Sequence, residues 1–209
     1  MLGLEAVRPR GGAHVHYALK IPQGAYDLAL HLLESQGVPY VTHPFGRDDV
    51  AIYFFDHDLH GIELRESTLC TLPEGESDSI PVRAFQEVVI EFEDLPTAHR
   101  RLTEVYGFRY AWGSTTGERA FTAYRFAEEI SPDHLNPHTE LFCWDPQIGI
   151  ADAQPGEHVY LTVTYPAHGF EALRQRVGEA GLTVAEHGGS LFVRDPERHV
   201  FEFQPIEIS

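Results

Sequence analysis

The sequence predicts an α+β fold built from three βαβββ modules, with paired modules forming a curved mixed sheet, a cup, and the helices outside. Three observations carry this. Strand-like stretches open at His16 (HYALKIP), Glu87 (EVVIEFED) and His158 (HVYLTVTYP), each 71 residues after the last. A one-faced helical pattern and then three short extended segments follow each stretch. The hairpins DHDLHGIEL from Asp56 and DPERHVFEF from Asp195 place aspartate, histidine and glutamate at the same spacing. A fixed period of this kind marks a repeated supersecondary unit.

In unit one, HYALKIP has the aromatic and aliphatic content of a strand. GAYDLALHLLESQG, residues 24–37, repeats apolar residues such as Leu28 and Leu32 at helical spacing and stops at Gly37. PYVTHP, AIYFF and GIELRE supply the remaining strands. In unit two the helical segment is PTAHRRLTEVYG, residues 96–107, and the strands are FRYAWG, RAFTAYRFA and TELFCW. A loop is expected over 128–137, where Asp133, Asn136 and two prolines interrupt the extended pattern. In unit three, GFEALRQRVGEAG, residues 169–181, aligns Phe170, Leu173 and Val177, and LTVAEH, SLFVRD and VFEFQP follow. Each helix ends at a glycine (Gly37, Gly107, Gly181), the residue that takes a left-handed cap at least steric cost.

The acidic run TLPEGESDS, residues 71–79, reads as a domain boundary. The expected organisation is therefore a single module over 1–70, a linker over 71–84, and a domain of paired modules over 85–209. The alternative pairs units one and two and leaves unit three to pair with its own mate.

The chain has 209 residues, 15 basic and 32 acidic, for a net charge of -17. That charge opposes a phosphate backbone, and with no basic cluster it speaks against nucleic-acid binding. No stretch of membrane-spanning length is apolar and no secretory leader is visible, so no membrane association is expected and the cytoplasm is the default compartment. Cys70 and Cys143 form neither a zinc pair nor a redox motif. No nucleophile elbow, phosphate loop or dinucleotide fingerprint is present.

Two positions recur in every unit. One opens the first strand: His16, Glu87, His158. The other lies in the last strand: Glu63, Glu140, Glu202. In an alternating strand each glutamate faces away from its apolar neighbours. It either meets water or lines a cavity in which imidazole and carboxylate converge on a divalent ion. His14 shares the face of His16 and is a spare candidate. His60 and His199 sit in turns and read as capping or packing residues. Asp56 and Asp195 read as turn aspartates that bond their own backbone.

The strand HYALKIP, the passage LTEVYGFRYAWG at 102–113 and the two hairpins resemble the vicinal oxygen chelate superfamily, over most of the chain. It includes glyoxalase I, extradiol dioxygenases and bleomycin and fosfomycin resistance proteins. The resemblance implies paired modules closing a cup around a divalent metal (Fe, Mn, Zn or Ni), with ligands from first and last strands. Carried over by position, the metal ligands are His16, Glu63, Glu87, Glu140, His158 and Glu202, with Glu63 or Glu202 as catalytic proton carriers. Glu87 stands where the family pattern has histidine. Three modules also leave one unpaired, which implies a homodimer through residues 1–70. The implied function is a metal-dependent lyase, isomerase or ring-cleaving dioxygenase acting on a small oxygenated molecule. The alternatives are a metal-free protein that sequesters a small molecule and a non-catalytic descendant.

Overall fold

The structure, a computed structural model, describes residues 15–44, 50–57, 60–71, 78–117, 120–125, 140–144 and 160–207. The βαβββ repeat is present three times. Unit one is β1 (Val15–Gln23), α1 (Tyr26–Ser35), β2 (Tyr40–Pro44), β3 (Val50–Phe55) and β4 (Gly61–Thr71). Unit two is β5 (Ala84–Glu91), α2 (Leu95–Arg100), β6 (Arg109–Ser114), β7 (Phe121–Arg125) and β8 (Glu140–Trp144). Unit three is β9 (Tyr160–Pro166), α3 (Ala167–Glu179), β10 (Thr183–His187), β11 (Ser190–Arg194) and β12 (Val200–Ile206). None of the described helices is long and apolar enough to cross a membrane. The loop expected over 128–137 lies outside the described residues.

The three helix ends share one device. Gly37, Gly107 and Gly181 all have positive φ. In unit one the amide of Gly37 donates to Glu34 and that of Val38 to Leu33; in unit three Gly181 donates to Gly178 and Leu182 to Val177. These are Schellman closures, and glycine supplies the left-handed residue they need. Unit two differs. Its helix runs on from Arg100 into a π turn, Arg101–Val105, and Phe108 donates six residues back to Leu102. The wider turn buries both Arg101 and Leu102.

The sheet joint departs from the expected organisation. Strands β2-β3-β4-β1-β5-β8-β7-β6 form one eight-stranded sheet, and β10-β11-β12-β9 form a second. Units one and two are joined by antiparallel pairing of their first strands: Val15 lies opposite Ile90, Tyr17 opposite Val88, and Ala18 opposite Glu87. The domain boundary expected at residues 71–84 is a link within this sheet. Thr71 ends opposite Gln23 and Ala84 begins opposite Lys20, so the strands on either side of the acidic run both pair with β1. Composition marks that run as solvated, but it does not determine which strand edges hydrogen-bond. The homodimer expected through residues 1–70 rested on unit one being the module left without a partner, and β1 of unit one pairs with β5 of unit two in the same chain.

Units two and three are joined by apolar burial. One core combines Ile90, Phe92, Leu95, Leu102, Tyr106 and Leu141 of unit two with Val163, Leu173, Val177, Leu191, Phe201 and Phe203 of unit three. A smaller core under α1 holds Ile21, Ala29, Leu33, Ile52 and Leu64. Polar contacts also cross between units two and three. Arg101 donates to Asp195 at 2.9 Å, with both side chains almost wholly buried. The Arg176 guanidinium donates to the Val105 carbonyl at 2.8 Å. His199 Nε2 and the Glu91 carbonyl lie 2.9 Å apart.

The aspartate–histidine hairpins follow the turn chemistry read from sequence. Asp56 accepts the His60 amide at 2.8 Å, and Asp195 accepts the His199 amide at 2.9 Å. Both aspartates therefore bond their own backbone, and neither histidine lies on the face that carries the recurring glutamates.

Candidate functional site

Alternation decides which residues face into the cup. Ile62 and Leu64 pack in the core beneath α1, so Glu63 between them projects to the opposite, concave face. Leu141 and Cys143 belong to the core shared with unit three, which places Phe142 and Trp144 on the concave face.

Following the register across the sheet gives two adjacent rows on that face. The first runs Tyr53, Glu63, Ala18, Glu87, Glu140, Arg125 and Arg109. The next runs Phe55, Gly61, His16, Val89, Phe142, Ala123 and Trp112. Glu63, Glu87 and Glu140 thus share one row, and His16 lies in the row beside it, two residues along β1 from Ala18. The pairing of Tyr17 with Val88, 71 residues apart, puts the pseudo-twofold between the two first strands. All four candidates of units one and two are therefore collected around that axis. The side chains of His16 and Glu140 are not among those described.

Glu63 is 3% exposed. It hydrogen-bonds Tyr53, whose hydroxyl is pushed up in pKa first by burial and then by the Glu63 charge. Arg65 Nε lies 3.8 Å from its Oε1. Lys20, opposite Arg65 and 8% exposed, brings a second cation to the same face. Among the described residues no three ligating side chains stand together as a metal cluster.

Unit three does not contribute to this cup. Phe201 and Phe203 point into the shared core, so Glu202 faces outward on the second sheet, with the core between it and Glu63. Its carboxylate accepts from Gln204 Nε2 at 2.9 Å, from the Tyr160 hydroxyl, and from Thr162 Oγ1 at 3.1 Å. Gln204, then Tyr160 and Ser190, hold it down to a pKa of about 2. It is an anion kept charged by neutral donors. His158, its expected partner, and the spare candidate His14 lie outside the described residues.

The site also has an aromatic wall that spacing alone did not reveal. Trp112 meets Phe121 (4.9 Å between centroids) and Phe142 (5.9 Å); Phe121 and Phe142 stack at 5.0 Å; Phe142 meets Trp144 at 5.8 Å. Trp144 in turn packs against Ala51 and Tyr53 of β3. Four strand spacings of about 4.8 Å each separate β3 from β8 along the sheet, so this contact requires the sheet to curl until its two halves meet. The alternation of FTAYR and ELFCW was the available signal, since Phe121, Phe142 and Trp144 all fall on the face of the glutamate row.

Gly113 sets the edge of this wall. It has φ of 118°, and a β-carbon there would sit 2.3 Å from the Phe121 carbonyl oxygen. Gly113→Ala is expected to destabilise the chain by about 1–3 kcal/mol, read from the urea midpoint, because neither backbone can yield without breaking the β6–β7 pairing.

No protein-family model and no curated protein matches the sequence. Solved structures do match in fold. One is a proposed dioxygenase from Bacillus subtilis subsp. subtilis str. 168, with a TM-score of 0.61 and 16% identity, covering 95% of this chain and 63% of that one. Another is a glyoxalase I variant from Zea mays, with a TM-score of 0.59 and 15% identity, covering 95% of this chain and 70% of that one. A second Zea mays glyoxalase I variant gives 0.57 and 17% over 94% of this chain and 68% of that one. The chain thus spans less than two thirds of the length of the Bacillus protein.

Proposed function

On the vicinal oxygen chelate fold that this chain has, we propose a divalent-metal enzyme acting on a small oxygenated molecule in the cup of units one and two. The observation that carries the reading is the collection of His16, Glu63, Glu87 and Glu140 in two adjacent rows about the paired first strands. One imidazole and three carboxylates form a hard, oxygen-rich donor set of the kind that holds Mn(II) or Fe(II). These four residues would hold the ion. When bound, it would polarise oxygens of the substrate.

The protein's own groups do the rest. Burial keeps Tyr53 protonated, so its hydroxyl remains a donor that fixes the orientation of the Glu63 carboxylate. Lys20 and Arg65 offset the negative charge of the carboxylate row. The aromatic wall limits water at one side of the cup. Glu202, on the other sheet, takes no part in this reading.

A second reading rests on Arg65, 3.8 Å from Glu63. If cations already neutralise the row, the cup sequesters a small molecule without metal. Metal analysis separates the two. Protein dialysed against Mn(II) and then washed is expected to retain about one ion per chain. Glu87→Gln and Glu140→Gln are expected to lower its affinity at least tenfold. Absence of uptake by the unsubstituted chain, or uptake indifferent to both substitutions, rejects the metal reading.

A further inference from the structure

We propose that unit three docks onto unit three of a second copy of this chain, β9 against β9 about a twofold axis, and that the two half-cups close a pocket belonging to neither chain alone. This inference is independent of the metal reading, which concerns units one and two.

The chain itself contains the joint that is reused. β1 lies between β4 and β5, and β5 lies between β1 and β8, so the first strands of units one and two each have a neighbour on both sides. Unit three has the same βαβββ order, and its first strand pairs with β12 on one side. Among the described residues no strand covers the other side of β9. β1 and β5 pair antiparallel. A strand meets its own copy antiparallel across a twofold, so a second unit three reproduces that joint with every contact made twice.

The sequence of β9 suits a strand that is covered. Its seven residues, YLTVTYP, carry no charge, in a chain whose net charge is -17. It pairs with β12 without a bulge and has proline only at its last position. Exposed edges are ordinarily blunted by charge, bulges, proline or short length. The other sheet edges follow that rule: β6 is irregular between Tyr110 and Trp112, β10 carries Glu186 ion-paired to Arg174, and β2 has five residues. Large side chains flank the β9 edge in the open, Tyr160 at 55% and Ile206 at 41% exposure. By alternation both lie on the face of Glu202. That face is otherwise polar, with Glu202 accepting from Tyr160, Thr162 and Gln204. Two such faces joined at β9 enclose a pair of ionised carboxylates among neutral donors, and each chain supplies half.

The copies repel as wholes, each at -17, so the test is made at about 0.15 M salt, where the screening length is about 8 Å. Sedimentation velocity of the full chain over a range of concentrations is expected to reach about twice the 23.5 kDa of one chain. Hydrogen exchange at residues 160–166 is expected to slow from dilute to concentrated protein as the dimer forms. Thr164→Lys puts a cation at an exposed position on the docking strand, and the twofold brings two of them together. It is expected to weaken association at least about tenfold. Val184→Lys, at an exposed position on β10 at the far edge of the same sheet, is expected to leave association unchanged, with circular dichroism confirming that both variants fold.

A single-chain mass at every concentration overturns the proposal. A dimer whose exchange at 160–166 does not depend on concentration overturns it whatever the variants do, because the copies then meet elsewhere. A dimer indifferent to Thr164→Lys, or weakened equally by Val184→Lys, overturns it as well.

Discussion

Arg101→Met is expected to destabilise the chain by about 3–5 kcal/mol at pH 8, the scale of a buried ion pair that loses one partner. The Arg101 side chain is 9% exposed and Asp195 is fully enclosed. The substitution keeps the packing stem and removes only the cation, so a buried carboxylate is left with the backbone amides of His199 and Glu197 as donors. The cost should depend on pH. Burial already raises Asp195 from 3.8 to about 6, with Arg101 pulling against it. A carboxyl whose pKa is higher in the folded state favours folding while protonated, and that contribution fades as pH rises through about 6. Without Arg101 the pKa goes higher still. Arg101→Met should therefore cost less at pH 5 than at pH 8, as read from urea midpoints at the two pH values. Arg101→Met with Asp195→Asn should recover part of the loss at pH 8 and show little of the pH dependence. An equal cost at both pH values would mean that water reaches the pair.

Phe203→Ala is expected to cost about 3–5 kcal/mol, the range for emptying a large aromatic from a packed core. Phe203 is fully buried and meets Tyr106 at 5.2 Å, Tyr165 at 5.8 Å, Phe108 at 6.1 Å and Phe201 at 6.2 Å. Two of these four neighbours belong to unit two. The loss should consequently appear in both units together, as one transition by hydrogen exchange. Protection in α3 collapsing while α2 retains its own would show that the two units fold separately.

Much of the fold could be read directly from the chain. The 71-residue period survives as the register between β1 and β5, where Tyr17 meets Val88. Glycine marked each helix end because each has positive φ there, in Schellman closures at Gly37 and Gly181 and after a π turn at Gly107. Asp56 and Asp195 were readable because an aspartate four residues before a histidine can accept its amide locally.

Sheet partnership was not readable, because the free edges of β1, β5 and β9 offer the same amides and carbonyls. The acidic link at 71–79 looks like a boundary whether it leaves a sheet or steps across a strand. The glutamates illustrate the same limit within the site. Glu63, Glu140 and Glu202 all lie in last strands, but they stand opposite Ala18, Glu87 and Thr162, the third, first and fifth residues of their first-strand stretches. The partnership of the first strands puts the first two in one row and leaves Glu202 on another sheet. The aromatic wall depends on the register of β6, β7 and β8, which no single strand encodes. The π turn that delivers Arg101 to Asp195 has no marker in LTEVYG beyond the glycine that ends it.

Unit two is built into both halves of the molecule. Along β5, Glu87 and Val89 face the cup while Val88 and Ile90 support the core side. A substitution beneath this strand is thus felt in the pocket one pleat away, whereas unit one stands on a small core of its own. In a chimera, unit one is the interchangeable cassette, and unit two is the keystone whose replacement would require redesigning both neighbours at once.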